Sequence, residues 1–382
     1  LSRLFTQGQY GFRFGWEFYY ATNSSKWQNR WVANATGAVV RPAVAGHIHH
    51  FAEAVIALFH ASLYPKALPA LNELSHLLLP TVRRSNELPW NLDFLELVLR
   101  GAQEQGAAYP QVLFSDDWPQ SGEDICFERI VLIGMHTSEF GLFADPYEAD
   151  LFRNYSFKFY GLGAFLERGI NDKLALFLME RKRTRRLVNP RDVRSALLDT
   201  GLFDLDFELP RGLGDQQADD QKISRCFDSS VPLEQQVAWM RSTDVLIGTH
   251  GSGLINAIFM RPGSVVIDLL CPNFFETTFS TAVLSAGGHY LFLTNTNQSS
   301  GVYPDPVPPS CFTRTPWEAQ TLDCISIRNC DLEADVRALD GLARQAALVV
   351  RLDKRRPLRS LDPTRGEWRR GRLPNRDMET LL

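Results

Sequence analysis

Residues 243–270 read TDVLIGTHGSGLINAIFMRPGSVVIDLL, and this stretch has the pattern of one βαβ unit. The apolar run at residues 245–247 predicts a buried strand, residues 254–260 suit a short helix, and residues 264–270 predict a second buried strand. Three glycines lie between the first strand and the helix: Gly248, Gly251 and Gly253. Such a turn lets the backbone approach a ligand closely, and the start of the following helix favours an anion. The sequence therefore predicts an α/β fold with a phosphate-binding crevice.

The motif itself leaves the kind of phosphate ligand open. Gly251 and Gly253 match the dinucleotide fingerprint G-x-G-x-x-G, and Asp268 is an acceptable ribose-binding acid, but Asn256 stands in place of the third glycine. A hydrolase elbow, G-x-S-x-G, would need glycine where His250 stands. A dinucleotide-dependent oxidoreductase that uses Asp268 therefore remains an alternative, as does a turn with no ligand.

A strongly basic turn, ERKRTRRLVN at residues 180–189, directly follows a strand predicted at residues 174–179. Strand ends in open α/β sheets point into the ligand crevice. The five cations of this turn would neutralise a diphosphate, and the planar guanidinium of arginine can bind phosphate with two hydrogen bonds. The alternative is a solvated surface run of charge.

A histidine-rich segment, GHIHHFAE at residues 46–53, precedes a predicted helix at residues 50–63. The His-x-His spacing could face one metal ion, but no acidic residue with clear ligand spacing accompanies it, so no metal site is predicted. The histidines could instead cap the helix, or provide a general base for group transfer. In the second case the base is His50 or Glu53, or Glu53 only orients His50.

Four segments of the chain, in order, resemble motifs of glycosyltransferase family 61. The glycine turn is similar to T-D-V-L-I-G-x-H-G-[AS]-G-L followed by F-x-x-P-G-S-x-V-I. The basic turn is similar to S-R-R-G-T-R-R-I-L-N, with Glu180 and Arg183 replacing the serine and the glycine. His50, Phe51 and Glu53 align without a gap with H-H-F-x-[DE], and Cys126 begins a Cys-Phe pair before the first-domain strand. The family includes the EGF-domain O-GlcNAc transferase, plant β1,2-xylosyltransferase and xylan arabinosyltransferases.

This resemblance implies a GT-B-like architecture, in which two Rossmann-like doubly wound domains face a cleft. It also implies an inverting glycosyltransferase that moves xylose, N-acetylglucosamine or arabinose from a UDP-sugar to a hydroxyl of a glycan or glycoprotein, without a metal or other cofactor. The implied catalytic candidates are Glu53 and His50. The implied nucleotide-binding residues are Arg181, Arg185, Arg186, Gln235, His250, Gly251, Ser252 and Gly253. A histidine that only holds the turn by hydrogen bonds remains the alternative for His250, and a catalytically inactive glycan-binding relative remains the alternative for the whole protein.

The expected domain organisation follows from the order of these segments. We expect an acceptor-side domain over residues 1–160, a nucleotide-sugar domain over 161–330, a helix over 331–352 that packs back on the body, and a loosely ordered basic tail over 353–382. Further predicted elements are a strand at 38–40, a buried strand at 130–134, and helices at 92–99, 157–169, 190–199 and 233–241.

Charge and cysteine usage limit the cellular context. The net charge of −4 over 382 residues argues against a nucleic-acid-binding protein. The six cysteines include no C-x-x-C pair, so their spacing does not indicate a zinc site. A disulfide is expected around Cys311, Cys324 and Cys330. Four glycosylation sequons begin at Asn23, Asn34, Asn154 and Asn297.

These features predict the lumen of the secretory pathway. The C-terminal residues METLL do not form a K-D-E-L-type retention signal, which favours the Golgi over the endoplasmic reticulum. The apolar runs are too short to span a membrane. Because the sequence starts at Leu1, a membrane anchor could precede it.

Overall fold

A computed structural model describes residues 29–42, 46–66, 69–117, 124–133, 142–144, 146–165, 169, 171–181, 184–205, 231–276, 278–294, 301–303, 306–313 and 324–355. The sequons at Asn23 and Asn297, and the basic tail beyond residue 355, lie outside the described residues.

The first half of the chain forms a four-stranded parallel sheet in the order β3-β2-β1-β4. Its strands are β1 (Asn29–Val40), β2 (Leu74–Leu79), β3 (Gln111–Phe114) and β4 (Asp124–Ile133). Its helices are α1 (Ile48–Leu63), α2 (Pro69–Asn72), α3 (Pro89–Glu104) and α4 (Pro146–Phe159), with a 3-10 turn at Arg84–Asn86. The order reverses between β1 and β4, as in half of a Rossmann fold.

The second half forms a five-stranded parallel sheet in the order β6-β5-β7-β8-β9. Its strands are β5 (Leu174–Met179), β6 (Phe203–Asp204), β7 (Val245–Thr249), β8 (Val265–Leu270) and β9 (His289–Thr294). Its helices are α5 (Pro190–Asp199), α6 (Leu233–Arg241) and α7 (Thr278–Ser285), and a 3-10 helix at Ser252–Phe259 that we call the glycine-turn helix. This strand order is that of a doubly wound sheet with its switch point between β5 and β7.

The C-terminal part adds a small ribbon and a long helix to the second half. Strands β10 (Gly301–Val302) and β11 (Asp331–Leu332) pair antiparallel, α8 spans Pro309–Thr313, and a 3-10 helix spans Ile325–Asn329. The last helix, α9 (Val336–Arg355), packs against α5, β8 and β9. The parallel sheets confirm the predicted α/β class with two doubly wound sheets.

Strand β5 shows how two hydrophobic clusters share the second sheet. Leu176 and Leu178 point into a cluster with α5 and α9, whereas Phe177 and Met179 point into a cluster shared with the first half. This alternation is the two-residue period of a strand buried on both faces. The cluster that contains Phe177 and Met179 therefore joins the two halves through a common apolar core.

Helix α4 fixes the junction between the two halves. Its Arg153 is fully buried and donates from Nη1 to the carbonyls of Ile258 and Ala286, at 3.1 and 2.8 Å, and from Nη2 to Asp150. Burial lowers the pKa of Arg153, and the Asp150 carboxylate opposes that shift. A buried cation with this many acceptors sets the position of α4 on the second half.

Two predicted elements differ from the structure. The helix predicted at residues 157–169 is wrong, because α4 ends at Phe159: Gly161 has φ 64° and the Leu162 amide donates to the Phe157 carbonyl at 2.7 Å, which is a Schellman ending. The prediction of a buried strand at 130–134 is also wrong in its burial. Strand β4 lies at the sheet edge, and Leu132 is 58% exposed.

Candidate active site

The arginine block and the glycine turn meet at the topological switch point of the second sheet. Arg181 lies just after β5, and His250 lies just after β7. These two strands are neighbours, with Met179 paired to Gly248 at their carboxyl ends. Ligand crevices of doubly wound sheets open at this point, because the flanking connections leave in opposite directions.

Two arginines bind the same main-chain oxygen of the glycine turn. Arg181 Nη1 and Arg185 Nη1 donate to the His250 carbonyl at 3.2 and 3.1 Å. Arg185 has a left-handed backbone, with φ 56°, which is uncommon for a residue other than glycine and is found often at functional sites. Burial, followed by the charges of Arg181 and Arg328, lowers the pKa of Arg185 to about 10. Cations held this close favour a bound anion.

Gly251 makes room for one of these arginines. A Cβ added at Gly251 would lie 1.7 Å from Arg181 Nη1, so a side chain there would displace the guanidinium. Ser252 and Gly253 follow, half-buried, and open the glycine-turn helix. The amides in the first turn of a helix have no carbonyl partner within it. The helix is 3-10 rather than the α-helix that the sequence pattern suggested.

His250 is buried inside the turn and joins two carboxylates. Its Nδ1 lies 2.7 Å from Asp268 Oδ2 and its Nε2 lies 3.2 Å from Glu276 Oε2. Burial opposes the charged imidazolium, but the Asp268 and Glu276 carboxylates outweigh it and raise the pKa of His250. The same histidine lowers the pKa of Glu276 to about 2 against the effect of burial. Both ring nitrogens therefore contact protein carboxylates. This is the arrangement expected of a histidine that holds the turn by hydrogen bonds.

Asp268 is engaged in the same network. It is fully buried, and its Oδ2 also accepts a hydrogen bond from Tyr290 Oη at 2.6 Å. A ribose-binding acid in a dinucleotide site has to reach the ligand at the crevice. The geometry therefore does not support the oxidoreductase alternative built on Asp268.

Other residues from the basic turn bind the C-terminal part of the chain. Arg186 is exposed and donates from Nη2 and Nε to Asp331 Oδ2, at 2.6 and 2.9 Å. Asn189 exchanges two hydrogen bonds of 2.9 Å with the Ala334 backbone. Gln235 lies half-buried on α6. The structure thus brings Arg181 and Arg185 to the glycine turn, while Arg186 pairs with Asp331.

The histidine-rich segment forms a cluster at the start of α1. His50 Nδ1 lies 2.9 Å from Glu53 Oε2, and His49 Nε2 lies 3.2 Å from Glu53 Oε1. Burial would raise the pKa of Glu53, but hydrogen bonding and charge from the two histidines lower it to about 2. Glu53 is 3% exposed, whereas His50 is 26% exposed. Sequence reasoning had not singled out His49.

The cluster lies beside the cations of the second half. Burial, the other two histidines, and then the charges of Arg185 and Arg328 lower the pKa of His47 to about 3. Phe279 of α7 lies between the two groups, with its ring centroid 5.1 Å from that of His49 and 5.0 Å from that of His250. Tertiary structure therefore joins the histidine segment, the basic turn and the glycine turn in one site.

One group of side chains in this site has the composition of a metal site. Donor atoms of His49, His50 and Glu53 lie within 4.8 Å of one another. The sequence argument that no acidic ligand accompanies the histidines was wrong, because Glu53 lies one helical turn beyond both. The three side chains could hold a divalent cation, although the positive charge of Arg185 and Arg328 near His47 disfavours one.

A cavity of about 460 Å³ is lined in part by Gly46, which directly precedes His47, the N-cap residue of α1. It lies at the carboxyl edge of the first sheet, where β2 and β3 end. Its lining residues are mainly polar: Gly46, Pro80, Thr81, Arg83, Asn86, Glu87 and Ser115. Polar side chains at a sheet edge suit a hydroxyl-rich ligand.

Two disulfides lie at the same end of the second sheet. Cys271, which follows β8 directly, is bonded to Cys330, and Cys311 is bonded to Cys324. The expected disulfide in this region is confirmed, with Cys271 as a partner that the sequence had not indicated. Disulfides persist in oxidising compartments, which indicates the secretory pathway. The sequon residue Asn154 is exposed on α4.

Comparison with known proteins assigns the chain to a family. The family model Glyco_transf_61, described as Glycosyltransferase 61, matches residues 48–267, from the histidine cluster to β8. The chain belongs to glycosyltransferase family 61. As a member of this family it is a glycosyltransferase, with a nucleotide-sugar donor and an acceptor.

A search of solved structures matched this glycosyltransferase to two structures of a heptosyltransferase. One is the dodecameric iron-containing TibC in complex with ADP-D-β-D-heptose, at 13% identity and a TM-score of 0.36, covering 82% of this chain and 76% of that one. The other is TibC from enterotoxigenic E. coli H10407, at 11% identity and a TM-score of 0.37, covering 84% and 78%. A sequence search found no match among curated proteins. None of the helices in the described part of the chain has the length and apolar character of a membrane span.

Proposed function

We propose that this glycosyltransferase is an inverting, metal-independent enzyme that transfers a sugar from a UDP-sugar to a hydroxyl of a glycan or glycoprotein. The observation that carries the proposal is the convergence of Arg181 and Arg185 on the carbonyl of His250, at the switch point of the second sheet. This arrangement puts two guanidiniums beside the start of the glycine-turn helix, where a diphosphate would bind.

The cations support departure of the nucleotide diphosphate. As the bond between the anomeric carbon and the β-phosphate oxygen breaks, its electron pair passes to that oxygen. Arg181, Arg185 and the first amides of the glycine-turn helix would stabilise the developing charge in place of a metal. In this scheme His250 does not touch the donor, since Asp268 and Glu276 occupy its ring nitrogens.

His50 is the proposed general base, and Glu53 its positioning residue. The sequence left the choice open, but Glu53 is buried, its pKa is lowered to about 2, and both of its oxygens face histidines. His50 is more exposed and is bound to Glu53 through Nδ1, which leaves Nε2 to take the acceptor proton. The acceptor oxygen then attacks the anomeric carbon from the face opposite to the leaving diphosphate.

The cavity beside Gly46 is the proposed acceptor site. Its lining includes Gly46, the residue before His47, and polar residues such as Asn86 and Glu87. A hydroxyl of a glycan in this cavity could reach the base while the remaining hydroxyls bind the lining. The donor sugar is proposed to be xylose, N-acetylglucosamine or arabinose, and a transfer screen with each UDP-sugar would distinguish them.

The Golgi is the proposed compartment, as a more specific form of the secretory location that the disulfides indicate. Imaging of the tagged full-length protein with Golgi and endoplasmic-reticulum markers tests this point. Co-localisation with the endoplasmic-reticulum marker alone would contradict it.

Calorimetric binding of UDP, GDP, NAD and NADP, each with and without EDTA, tests the donor site. We expect UDP to bind equally well in EDTA and to lose at least about tenfold in affinity in Arg181→Ala, because a charge-assisted contact is worth 1.5–3 kcal/mol. Loss of binding or transfer in EDTA, restored by Mn²⁺, would overturn metal independence. NAD binding unaffected by Arg181→Ala would overturn the donor assignment, and UDP binding without any transfer would point to an inactive relative.

A further inference from the structure

A short C-terminal segment, residues 324–330, is fixed at the candidate donor site by both disulfides. Its ends, Cys324 and Cys330, are fully buried and bonded to Cys311 and Cys271. Since Cys271 follows β8, the Cys271–Cys330 bond ties the segment to the sheet edge that also carries the glycine turn. The segment lies beyond residues 48–267, which the family model matches.

Asn329 of this segment binds one of the two site arginines. Its Oδ1 accepts hydrogen bonds from Arg185 Nε and Nη2, at 3.3 and 3.1 Å. The remaining terminal nitrogen, Nη1, is the one that reaches the His250 carbonyl. Asn329 therefore sets the plane of the Arg185 guanidinium, which the left-handed backbone of Arg185 alone would not fix.

Arg328 brings a third guanidinium to the same place. It directly precedes Asn329, whose side chain is bound to Arg185, and its charge lowers the pKa values of Arg185, His47 and Glu276. Its Nε is buried and has no hydrogen-bond partner among the described residues. Buried donors of charged groups are costly without an acceptor, and phosphate oxygens would provide one.

The balance of charge around the turn favours an anionic ligand. The three guanidiniums of Arg181, Arg185 and Arg328 outnumber the two carboxylates of Asp268 and Glu276, which already contact the ring of His250. A net positive charge beside the start of the glycine-turn helix suits a phosphate group.

We propose that the disulfide-held segment 324–330 completes the donor site, with Arg328 as a diphosphate-binding residue and Asn329 as the residue that positions Arg185. This inference rests on the proposed function, since it assigns a further part of the same donor site. It goes beyond that function in adding a segment that lies outside the matched region.

Binding of UDP, uridine and inorganic pyrophosphate to wild type, Arg328→Gln and Arg328→Lys tests the role of Arg328. We expect Arg328→Gln to weaken UDP and pyrophosphate about 10- to 100-fold while uridine is unchanged, and Arg328→Lys to fall between Gln and wild type. Arg337→Gln, at an exposed position on α9, is the matched control. Equal UDP binding by Arg328→Gln and Arg337→Gln, or equal weakening of uridine and UDP, would overturn the inference.

The probes separate this inference from the proposed function. If the wild type binds pyrophosphate but not UDP, the donor is not a UDP-sugar. The pyrophosphate affinity of Arg328→Gln then still tests the role of Arg328. Wild type that binds neither probe would overturn both. If UDP binding is insensitive to substitution of Arg328, the proposed function stands and only the inference about segment 324–330 is overturned.

A double-mutant cycle tests the positioning role of Asn329. If Asn329 acts only through Arg185, Asn329→Ala weakens UDP about tenfold in wild type and has no further effect in Arg185→Ala. Losses that add in the double variant would overturn this role. Thermal melting of each variant identifies any that fail to fold.

Discussion

Trp90 Nε1 donates a hydrogen bond to Asn256 Oδ1 at 3.2 Å, across the junction of the two halves. Both residues are buried, and Asn256 Nδ2 also donates to the Gly253 carbonyl. Asn256 occupies the position of the third glycine in a dinucleotide fingerprint. The departure from that fingerprint thus has a structural reason, because the asparagine binds the glycine turn to α3 of the first half.

Trp90→Phe should destabilise the protein by about 1–3 kcal/mol, because it leaves the buried Asn256 oxygen without its donor. Phenylalanine can keep the stacking of Trp90 on Phe94, although the smaller ring also leaves a cavity that adds to the loss. Chemical denaturation measures the difference. Tyr109→Phe, which removes a bond to the partly exposed Glu96, is the control and should cost less. Equal losses in the two variants would contradict a role for the buried bond.

Gly251→Ala should weaken UDP binding by about tenfold or more, because the new Cβ displaces the Arg181 guanidinium from the His250 carbonyl. The displaced atom is the end of a flexible side chain, but the backbone of Gly251, with φ 155°, is strained for alanine, so some stability is lost as well. Titration calorimetry measures the affinity, and thermal melting checks the fold. Gly341→Ala is the control: this exposed position in α9 has open space around it, and alanine there should stabilise by roughly 0.5–1 kcal/mol. If Gly251→Ala leaves the UDP affinity unchanged, Arg181 does not contribute to donor binding.

His50→Ala should lower kcat by about 10²- to 10⁴-fold with UDP affinity unchanged, because it removes the proposed base but no phosphate contact. Glu53→Gln should cost less, since His50 remains. Initial rates of sugar transfer measure both effects. A larger loss in Glu53→Gln than in His50→Ala would make Glu53 the base.

The stability of the protein should fall in acid as the carboxylate of Glu276 takes up a proton. Its pKa in the folded state is lowered from 4.5 to about 2, so its contribution is present above about pH 4.5 and is lost as the pH falls towards 2. The pKa of His250 is raised above 6.5, so its contribution is present below that pH and is lost as the pH rises through the folded value.

Glu276→Gln should therefore lower the melting temperature near pH 5 and converge with wild type near pH 2. Thermal melts between pH 2 and pH 9 measure this difference. Glu333→Gln, which removes an exposed carboxylate, is the control and should follow the wild-type curve. A Glu276→Gln curve parallel to wild type over the acid range would mean that the carboxylate is not coupled to His250.

Much of the second half could be predicted because its local signals are strong. Strand β5 and the helices α5 and α6 occur at the predicted residues, since their apolar periods, their proline-marked starts and their short lengths agree. Helix α4 was misplaced because its end depends on the backbone of Gly161 rather than on the apolar pattern. The burial of β4 was misjudged because an apolar run does not reveal whether its strand is central or at an edge.

The sequence by itself determined the α/β class and the residue types of the site, because strand periodicity, glycine and arginine act through local geometry and charge. Tertiary structure decided which of these residues meet. Arg185 reaches the turn and Arg186 does not, His250 lies between two carboxylates, and Arg328 arrives from a segment about 140 residues further along the chain. Neighbouring strands in a parallel sheet are distant in sequence, so the spacing of residues along the chain does not predict these contacts.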